Sequence, residues 1–258
     1  MKLCTLASGS SGNAIFVTSG DTSILIDAGI SAKRISTGLT QIGYSAKQLD
    51  AICITHSHSD HISGLRVFLK QCTCPVYATR MTADAICEKV PDAECRIRLI
   101  DSASRFQVGE INITSFSTPH DAPGSVGFSF TDGARKCSIV TDLGYVTDEV
   151  KGNILGSHLA LVEANHDPEW VRTGPYPYPL KERVLGDHGH LSNESCGALC
   201  CDLVRSGAQT LILGHLSKEN NHPSLAKKTV CAALSQAGFE NVTVVVADRQ
   251  ECGPLMEV

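Results

Sequence analysis

Apolar residues along this chain fall in short runs, divided by turn signals and by helical patterns, as expected of β-strands covered by helices. Residues 14–19 and 23–27 read as two strands joined by the hairpin signal Gly20-Asp21-Thr22. Residues 31–42 read as a helix. In the next strand, 50–55, Ala51-Ile52-Cys53-Ile54 is apolar at every position, as in a strand buried on both faces. Ile62, Leu65, Phe68 and Leu69 then fall on one helical face. A strand over 75–78 and a helix over 81–89 follow, then strands over 111–117, 125–131 and 135–141, with a turn at Asp132-Gly133. Residues 158–164 form another apolar strand, and 191–206, 210–213, 224–237 and 242–247 alternate helix, strand, helix, strand. In 174–190, Pro175, Pro177 and Pro179 interleave with Tyr176 and Tyr178, which predicts an extended loop. No repeat or composition break divides the chain, so a single domain over 1–258 is expected, with two sheets inside and helices outside.

Composition narrows the classes. The 258 residues are 42% hydrophobic and 19% charged, which excludes a disordered or fibrous chain. A formal charge of −5 excludes a protein that coats nucleic acid through a general basic surface, though not a local anion site built around metals. The 12 cysteines include no CxxC pair, only the lone Cys72-Thr73-Cys74, so a zinc ribbon is not expected. Cys53, Cys137 and Cys231 fall in apolar runs, and the set reads as free thiols of a reducing compartment. The first ten residues are too short for the apolar region of a leader, and no run approaches the ~20 apolar residues of a membrane span. A cytoplasmic location is the expectation.

The strongest chemical signal is Thr55-His56-Ser57-His58-Ser59-Asp60-His61, an HxHxDH motif directly after a buried strand. Imidazole nitrogens and carboxylate oxygens are the ligand set of zinc and similar divalent ions. His56 and His58 share a parity on the loop that leaves the strand, while Asp60 and His61 open the following helix. One short turn thereby presents two pairs of ligands in two directions, which suits two adjacent metals.

This motif, together with Asp27-Ala28-Gly29 at the end of an earlier apolar strand, resembles the metallo-β-lactamase superfamily. The resemblance implies an α/β fold, an αββα four-layer sandwich of two mixed sheets with helices on the outer faces. By motif order, Asp27 matches a carboxylate that holds the metal loop, and His120, Asp142 and His215 match later ligands. It implies one metal on His56, His58 and His120 and a second on Asp60, His61 and His215. Asp142 would bridge them, and Asp60 would also count among the catalytic residues. Two ions per chain are implied, zinc foremost and manganese as the alternative. Two divalent ions bring four positive charges, of which Asp60, Asp142 and a hydroxide nucleophile offset three, so the site stays positive and suits an anion such as a phosphodiester.

Three further segments bear on the substrate. In Leu6-Ala7-Ser8-Gly9-Ser10-Ser11-Gly12-Asn13, small residues let backbone amides approach an anion, and Ser10, Ser11 and Asn13 are candidate substrate contacts. Glu163 follows an apolar strand, and His190 lies in Gly189-His190-Leu191-Ser192. This order is similar to that of the β-CASP nucleases, but only 26 residues separate Glu163 from His190, too few for an inserted cap domain. Glu163 and His190 are the candidate catalytic acid pair, with a proton delivered from His190 to a poor alkoxide leaving group. LASGSSGN, HSHSDH, TPHDA, TDLG, VEANHD, YPYPLKERV, GHLSN and GHLSKENNHP together most resemble the YycJ/WalJ-like (VicX-like) branch. The last of these adds Ser217 and Asn220 as candidate substrate contacts. The resemblance implies a metal-dependent exonuclease acting on DNA. Hydrolysis of a small phosphodiester on the same metals is the alternative. Lys181, Arg183 and Lys218 flank the motifs as candidate backbone contacts.

Overall fold

A computed structural model describes residues 1–258. The first sheet contains β1 (Lys2–Ala7), β2 (Ala14–Ser19), β3 (Thr22–Ile26), β4 (Ala51–Cys53), β5 (Val76–Thr79) and β6 (Ile97–Ile100). The second contains β7 (Arg105–Val108), β8 (Ile111–Ser117), β9 (Val126–Thr131), β10 (Lys136–Val140), β11 (Leu159–Glu163), β12 (Thr210–Gly214) and β13 (Thr243–Val246). A last short strand, β14 (Met256–Glu257), returns to pair with β1. The strand orders are β14-β1-β2-β3-β4-β5-β6 and β13-β12-β11-β10-β9-β8-β7. Each sheet is mixed: β3 to β6 and β10 to β13 run parallel, and the remaining pairs antiparallel.

The helices are α1 (Ala32–Gln41), α2 (Ser59–Ile62), α3 (Leu65–Phe68), α4 (Arg80–Lys89), α5 (Asp148–Ile154), α6 (Pro168–Thr173), α7 (Tyr178–Leu185), α8 (Asn193–Arg205) and α9 (Pro223–Gln236). Strand periodicity divides the apolar residues into three layers. Ile24 and Ile26 of β3 and Leu159 and Leu161 of β11 meet between the sheets, around Phe128 and Phe130. Leu25 points the other way, toward Ile35, Leu39 and Phe68 of α1 and α3. Ala160 and Val162 point outward to Val150, Leu199 and Val230 of α5, α8 and α9. This is the expected αββα sandwich. No helix is long and apolar enough to cross a membrane.

Two expectations are corrected. The helical face through Ile62, Leu65, Phe68 and Leu69 is two short helices, not one, because the chain breaks at Gly64. The Gly64 backbone donates to Ala28 O at 2.8 Å, and a Cβ there would overlap the carbonyl oxygen of Ile30. Nor is 174–190 an extended loop throughout, since it contains α7. Pro177 is its N-cap and Pro179 lies in its first turn, where the missing N–H had no helical partner to lose.

The strands that run in one direction end at one edge. Asp27 follows β3, the HxHxDH loop follows β4, Asp142 follows β10, Glu163 ends β11 and His215 follows β12. β8 runs with β10, two antiparallel steps away, so His120 leaves the second sheet at the same edge. Carboxyl ends of parallel strands are where open α/β sheets place ligands. The loops at this edge interlock at Gly29, where a Cβ would overlap the carbonyl of Asp60 and where the Gly29 amide donates to Asn13 O at 2.8 Å. Gly29→Ala is expected to destabilise the protein by about 1–3 kcal/mol, the usual cost of overpacking. Urea denaturation with and without added divalent metal would measure this, and a wild-type midpoint would contradict it.

Candidate active site

Only three non-glycine residues have left-handed backbone: Asp27 (φ 61°), Asp142 (φ 59°) and His215 (φ 54°). Asp27 and His215 are the first residues beyond β3 and β12, and Asp142 is the second beyond β10. The left-handed turn costs on the order of 1–3 kcal/mol, less for aspartate, and such outliers cluster where function demands a geometry. Here it swings the side chain from the end of the strand into the shared edge.

Asp27 anchors the HxHxDH loop. Its Oδ1 accepts from the Thr55 amide at 2.9 Å, and its Oδ2 lies 2.7 Å from His61 Nδ1 and 2.9 Å from Thr55 Oγ1. With Nδ1 so committed, His61 turns Nε2 into the site. Other rings are held in the same manner. His56 Nδ1 is 3.1 Å from Thr55 Oγ1, and His120 Nδ1 donates to Gly189 O at 3.2 Å. His215 Nδ1 is 2.7 Å from Glu163 Oε1. Each ring has Nδ1 fixed by the protein and Nε2 turned toward the site, where Asn13 Nδ2 lies 3.1 Å from that of His61.

The free atoms form overlapping clusters, each with its ligand atoms within 4.8 Å of one another: His56, His58 and His120; His56, His61 and Asp142; Asp60, His61 and His215. In the first, His58 Nδ1 lies 3.3 Å from His120 Nε2. In the third, Asp60 Oδ2 is 3.4 Å from His61 Nε2 and 3.3 Å from His215 Nε2. Asp142 lies between, with Oδ2 3.4 Å from His61 Nε2 and Oδ1 3.8 Å from His120 Nε2. His56 Nε2 and Asp142 Oδ2 are buried without any hydrogen-bond partner. Orphaned buried acceptors are costly unless a cation completes them. The donor set therefore fits divalent metal, and the seven residues expected from the sequence converge here.

A fourth cluster joins Asp142, Glu163, His190 and His215. Glu163 is fully buried and uses both oxygens. Oε1 lies 2.8 Å from His190 Nδ1 and 2.7 Å from His215 Nδ1, while Oε2 accepts the amides of Leu143 (3.1 Å) and Leu191 (3.0 Å). Burial pushes its carboxyl up, but the charges and hydrogen bonds of His190 and His215 outweigh this and bring it down to about 2. Conversely, burial lowers the His190 pKa, and the Glu163 carboxylate more than compensates, leaving it raised. Glu163 touches no solvent, so it acts through the two rings it holds. His190 keeps Nε2 as its one free nitrogen.

The residues expected to meet substrate divide. Ser10 and Ser217 line a cavity of about 160 Å³ beside His190, along with Asp121, Asn165, Tyr176 and Arg183. Ser11 is exposed outside that lining. Asn13 and Asn220 are buried, and neither lines that cavity. Asn13 exchanges hydrogen bonds with the Gly9 backbone at 2.9 and 3.2 Å, and the Asn220 amide donates to Ser217 Oγ at 3.2 Å. The Asn13 side chain is thus the internal tie of its glycine-rich loop, whereas the Asn220 side-chain amide is buried with no hydrogen-bond partner. Lys218 is exposed, and Lys181 spends its ammonium on Arg172 O at 2.7 Å.

Several functional residues escaped the sequence reading. Thr55 joins Asp27 to two rings of the motif that it precedes. Asp121, next to His120, sits 3.5 Å from His58 Nε2 and is ion-paired to Arg183. Asn221 Nδ2 donates to Ala164 O (2.8 Å) and Asn193 Oδ1 (2.9 Å), tying the loops that carry Glu163, His190 and His215 together. Asn193 and Asn221 stand inside GHLSN and GHLSKENNHP, so adjacency to a motif was the available signal.

A family model described as "Beta-lactamase superfamily domain" matches residues 22–216. The chain is 36% identical to "Exodeoxyribonuclease YycJ" of Bacillus anthracis over 240 residues, covering 93% of this chain and 91% of that protein. It is 38% identical to "Exodeoxyribonuclease WalJ" of Streptococcus pneumoniae over 241 residues, covering 92% and 89%. Among solved structures, Zn(2+)-bound PqqB from Methylobacterium extorquens superimposes with a TM-score of 0.73 at 17% identity, over 99% of this chain and 100% of that one, a likeness of fold. The match across most of the chain places this protein in the metallo-β-lactamase superfamily, among the relatives of YycJ and WalJ.

Proposed function

We propose that this chain is a metal-dependent phosphodiester hydrolase that removes nucleotides from DNA ends. The observation that carries the reading is the shared carboxylate of Glu163, which links a cavity-facing histidine to the metal-ligand cluster. The names of the full-length relatives support DNA as substrate. His56, His58 and His120 would hold one divalent ion and Asp60, His61 and His215 a second, with Asp142 serving both. A histidine-rich set suits zinc, and the aspartate oxygens also accommodate manganese. When bound, the ions would supply Lewis-acid stabilisation of the phosphoryl oxygens and a more acidic water.

The protein's own groups supply the rest. Cleavage of a phosphodiester expels an alkoxide, which leaves far more readily once protonated. His190 offers Nε2 at the cavity, with its proton secured by the raised pKa that Glu163 imposes. Glu163 also fixes the ring plane, since its Oε2 is pinned by two backbone amides and cannot swing away. Asp27 and Thr55 hold the HxHxDH loop still while substrate enters. Ser10 and Ser217 place hydroxyls on the wall of the cavity that His190 also lines.

The reading has measurable consequences. Elemental analysis of purified protein should find about two divalent ions per chain, and Asp142→Ala should lower the occupancy of both positions, because its carboxylate serves both. Full occupancy with normal turnover in Asp142→Ala would remove the dinuclear assignment. Asp27→Ala should weaken metal binding about 10–100-fold by titration, the usual effect of losing a carboxylate that orients a ligating histidine. His190→Ala should slow DNA cleavage roughly 10²–10⁴-fold yet lose much less on a nitrophenyl diester, whose leaving group needs no proton. Because the working form of His190 is protonated and its pKa is raised, activity should fall as pH rises through that value. In Glu163→Gln that alkaline limb should move to lower pH. Equal losses on both substrates in His190→Ala, with metal retained, would show that the residue does not protonate the leaving group.

A further inference from the structure

Helix α7 turns two different faces outward and inward. Leu180, Arg183 and Val184 line the cavity beside His190, while Lys181, Glu182 and Leu185 lie on the opposite side. Arg183 is the one lysine or arginine in that lining, and its Nε is paired with Asp121 Oδ2. No other hydrogen bond engages the guanidinium, so its terminal amino groups are free, on a side chain 55% exposed. Tyr176 enters the same cavity half-buried, and its hydroxyl has no partner in the protein.

This wall is built in place. The Asp121 amide donates to His188 O at 3.1 Å, and His120 Nδ1 donates to Gly189 O, so the chain after α7 is bonded to the metal-ligand loop. Two glycines permit the approach: a Cβ at Gly189 would overlap the carbonyls of Arg183 and Val184, and one at Gly144 would overlap that of Asp187. The cavity, about 160 Å³, is smaller than the roughly 300–1,000 Å³ that encloses a drug-sized ligand. Its scale is that of a single nucleotide unit rather than of a duplex.

We propose that this inner face of α7 positions one nucleotide of the DNA strand, with Arg183 gripping a backbone phosphate and Tyr176 packing against the adjoining sugar or base. The inference rests on the nuclease reading and assigns it a substrate-positioning surface. A guanidinium with two free amino groups matches a phosphate in a planar fork, and an aromatic ring accepts any base face without regard to sequence. The cation lies beside the reaction centre of a protein whose net charge is −5, so the attraction is local.

The test compares Arg183→Ala, Arg183→Lys and Tyr176→Ala with the unaltered holoenzyme on two substrates, a labelled oligonucleotide and bis(nitrophenyl) phosphate, over a range of salt. Metal content and melting temperature are checked for each variant. Arg183→Ala is expected to lower kcat/KM on the oligonucleotide about 10–100-fold, chiefly through KM, and to flatten the plot of log(kcat/KM) against log salt by about 0.7, the share of one phosphate contact on a single strand. Arg183→Lys should keep most of that slope. Tyr176→Ala should lose roughly tenfold on the oligonucleotide with the slope unchanged. In every variant the ratio of oligonucleotide to small-diester turnover should drop. An unchanged salt slope in Arg183→Ala, or equal losses on the two substrates, would overturn the proposal and leave Arg183 as a prop for the Asp121 loop. If the unaltered protein cleaves the small diester and no DNA, the nuclease reading falls and this proposal with it.

Discussion

Five strand ends and one loop press histidines and carboxylates into a volume that water barely reaches, and the edge of both sheets is organised around holding them there. A buried imidazole or carboxylate is costly unless each polar atom has a partner. The protein meets that demand chiefly on one side of each ring. His56, His61, His120 and His215 each spend Nδ1 on a hydroxyl, a carboxylate or a carbonyl, and turn Nε2 toward the site. Asn13 Nδ2 reaches His61 Nε2, but His56 Nε2 and Asp142 Oδ2 have no donor, a deficit that divalent cations would complete.

Asp27 and Glu163 play parallel parts in opposite sheets. Asp27 closes the end of β3 and holds His61; Glu163 closes the end of β11 and holds His215. Each also accepts backbone amides of a neighbouring loop, Thr55 for Asp27 and Leu143 and Leu191 for Glu163. Those amide bonds make the carboxylates rigid, so the rings inherit their direction from the sheets. Glu163 differs in serving a second ring. Because His190 and His215 share one oxygen, the orientation of the proton donor and that of the metal-ligand ring cannot drift independently. The backbone strain at Asp27, Asp142 and His215 belongs to the same design, since a right-handed continuation would point each side chain along the strand and away from the others.

Most of the cluster was legible in the sequence because its chemistry is local. HxHxDH lies within one turn, and the other ligands each follow an apolar run that announces a strand end. β11, β12 and β13 were read nearly to their bounds, since parallel strands buried on both faces are apolar throughout, and α8 and α9 between them likewise, whereas the short helices α5 and α6 were not read. What escaped depends on long-range approach. The sequence of α2 and α3 carries one continuous apolar face, and only the contact of Gly64 with Ile30 divides it. The prolines before α7 signalled loop, because first-turn tolerance and helix breaking look alike until the cap is known. Asn13 looked like a donor for a substrate, and only the folded chain shows its amide turned to the Gly9 backbone and to His61 Nε2.

The 26 residues between Glu163 and His190 hold the part of the molecule least determined by the superfamily pattern. They are too few for a domain, yet they fold into α6 and α7 and return to within hydrogen-bonding distance of the strand they left: the Asn165 amide donates to Leu191 O at 2.9 Å. The excursion is therefore a closed flap pinned at both ends. Its second end carries His190, and its inner face carries Arg183 and Tyr176. A change in the length of this segment would move the proton donor and the cavity wall together, because the same turn at Gly186–Gly189 ends α7 and delivers His190 to Glu163. Substrate positioning by this segment is thus coupled to catalysis by covalent geometry, and to the metal-ligand cluster through the Gly189 carbonyl that accepts from His120 Nδ1.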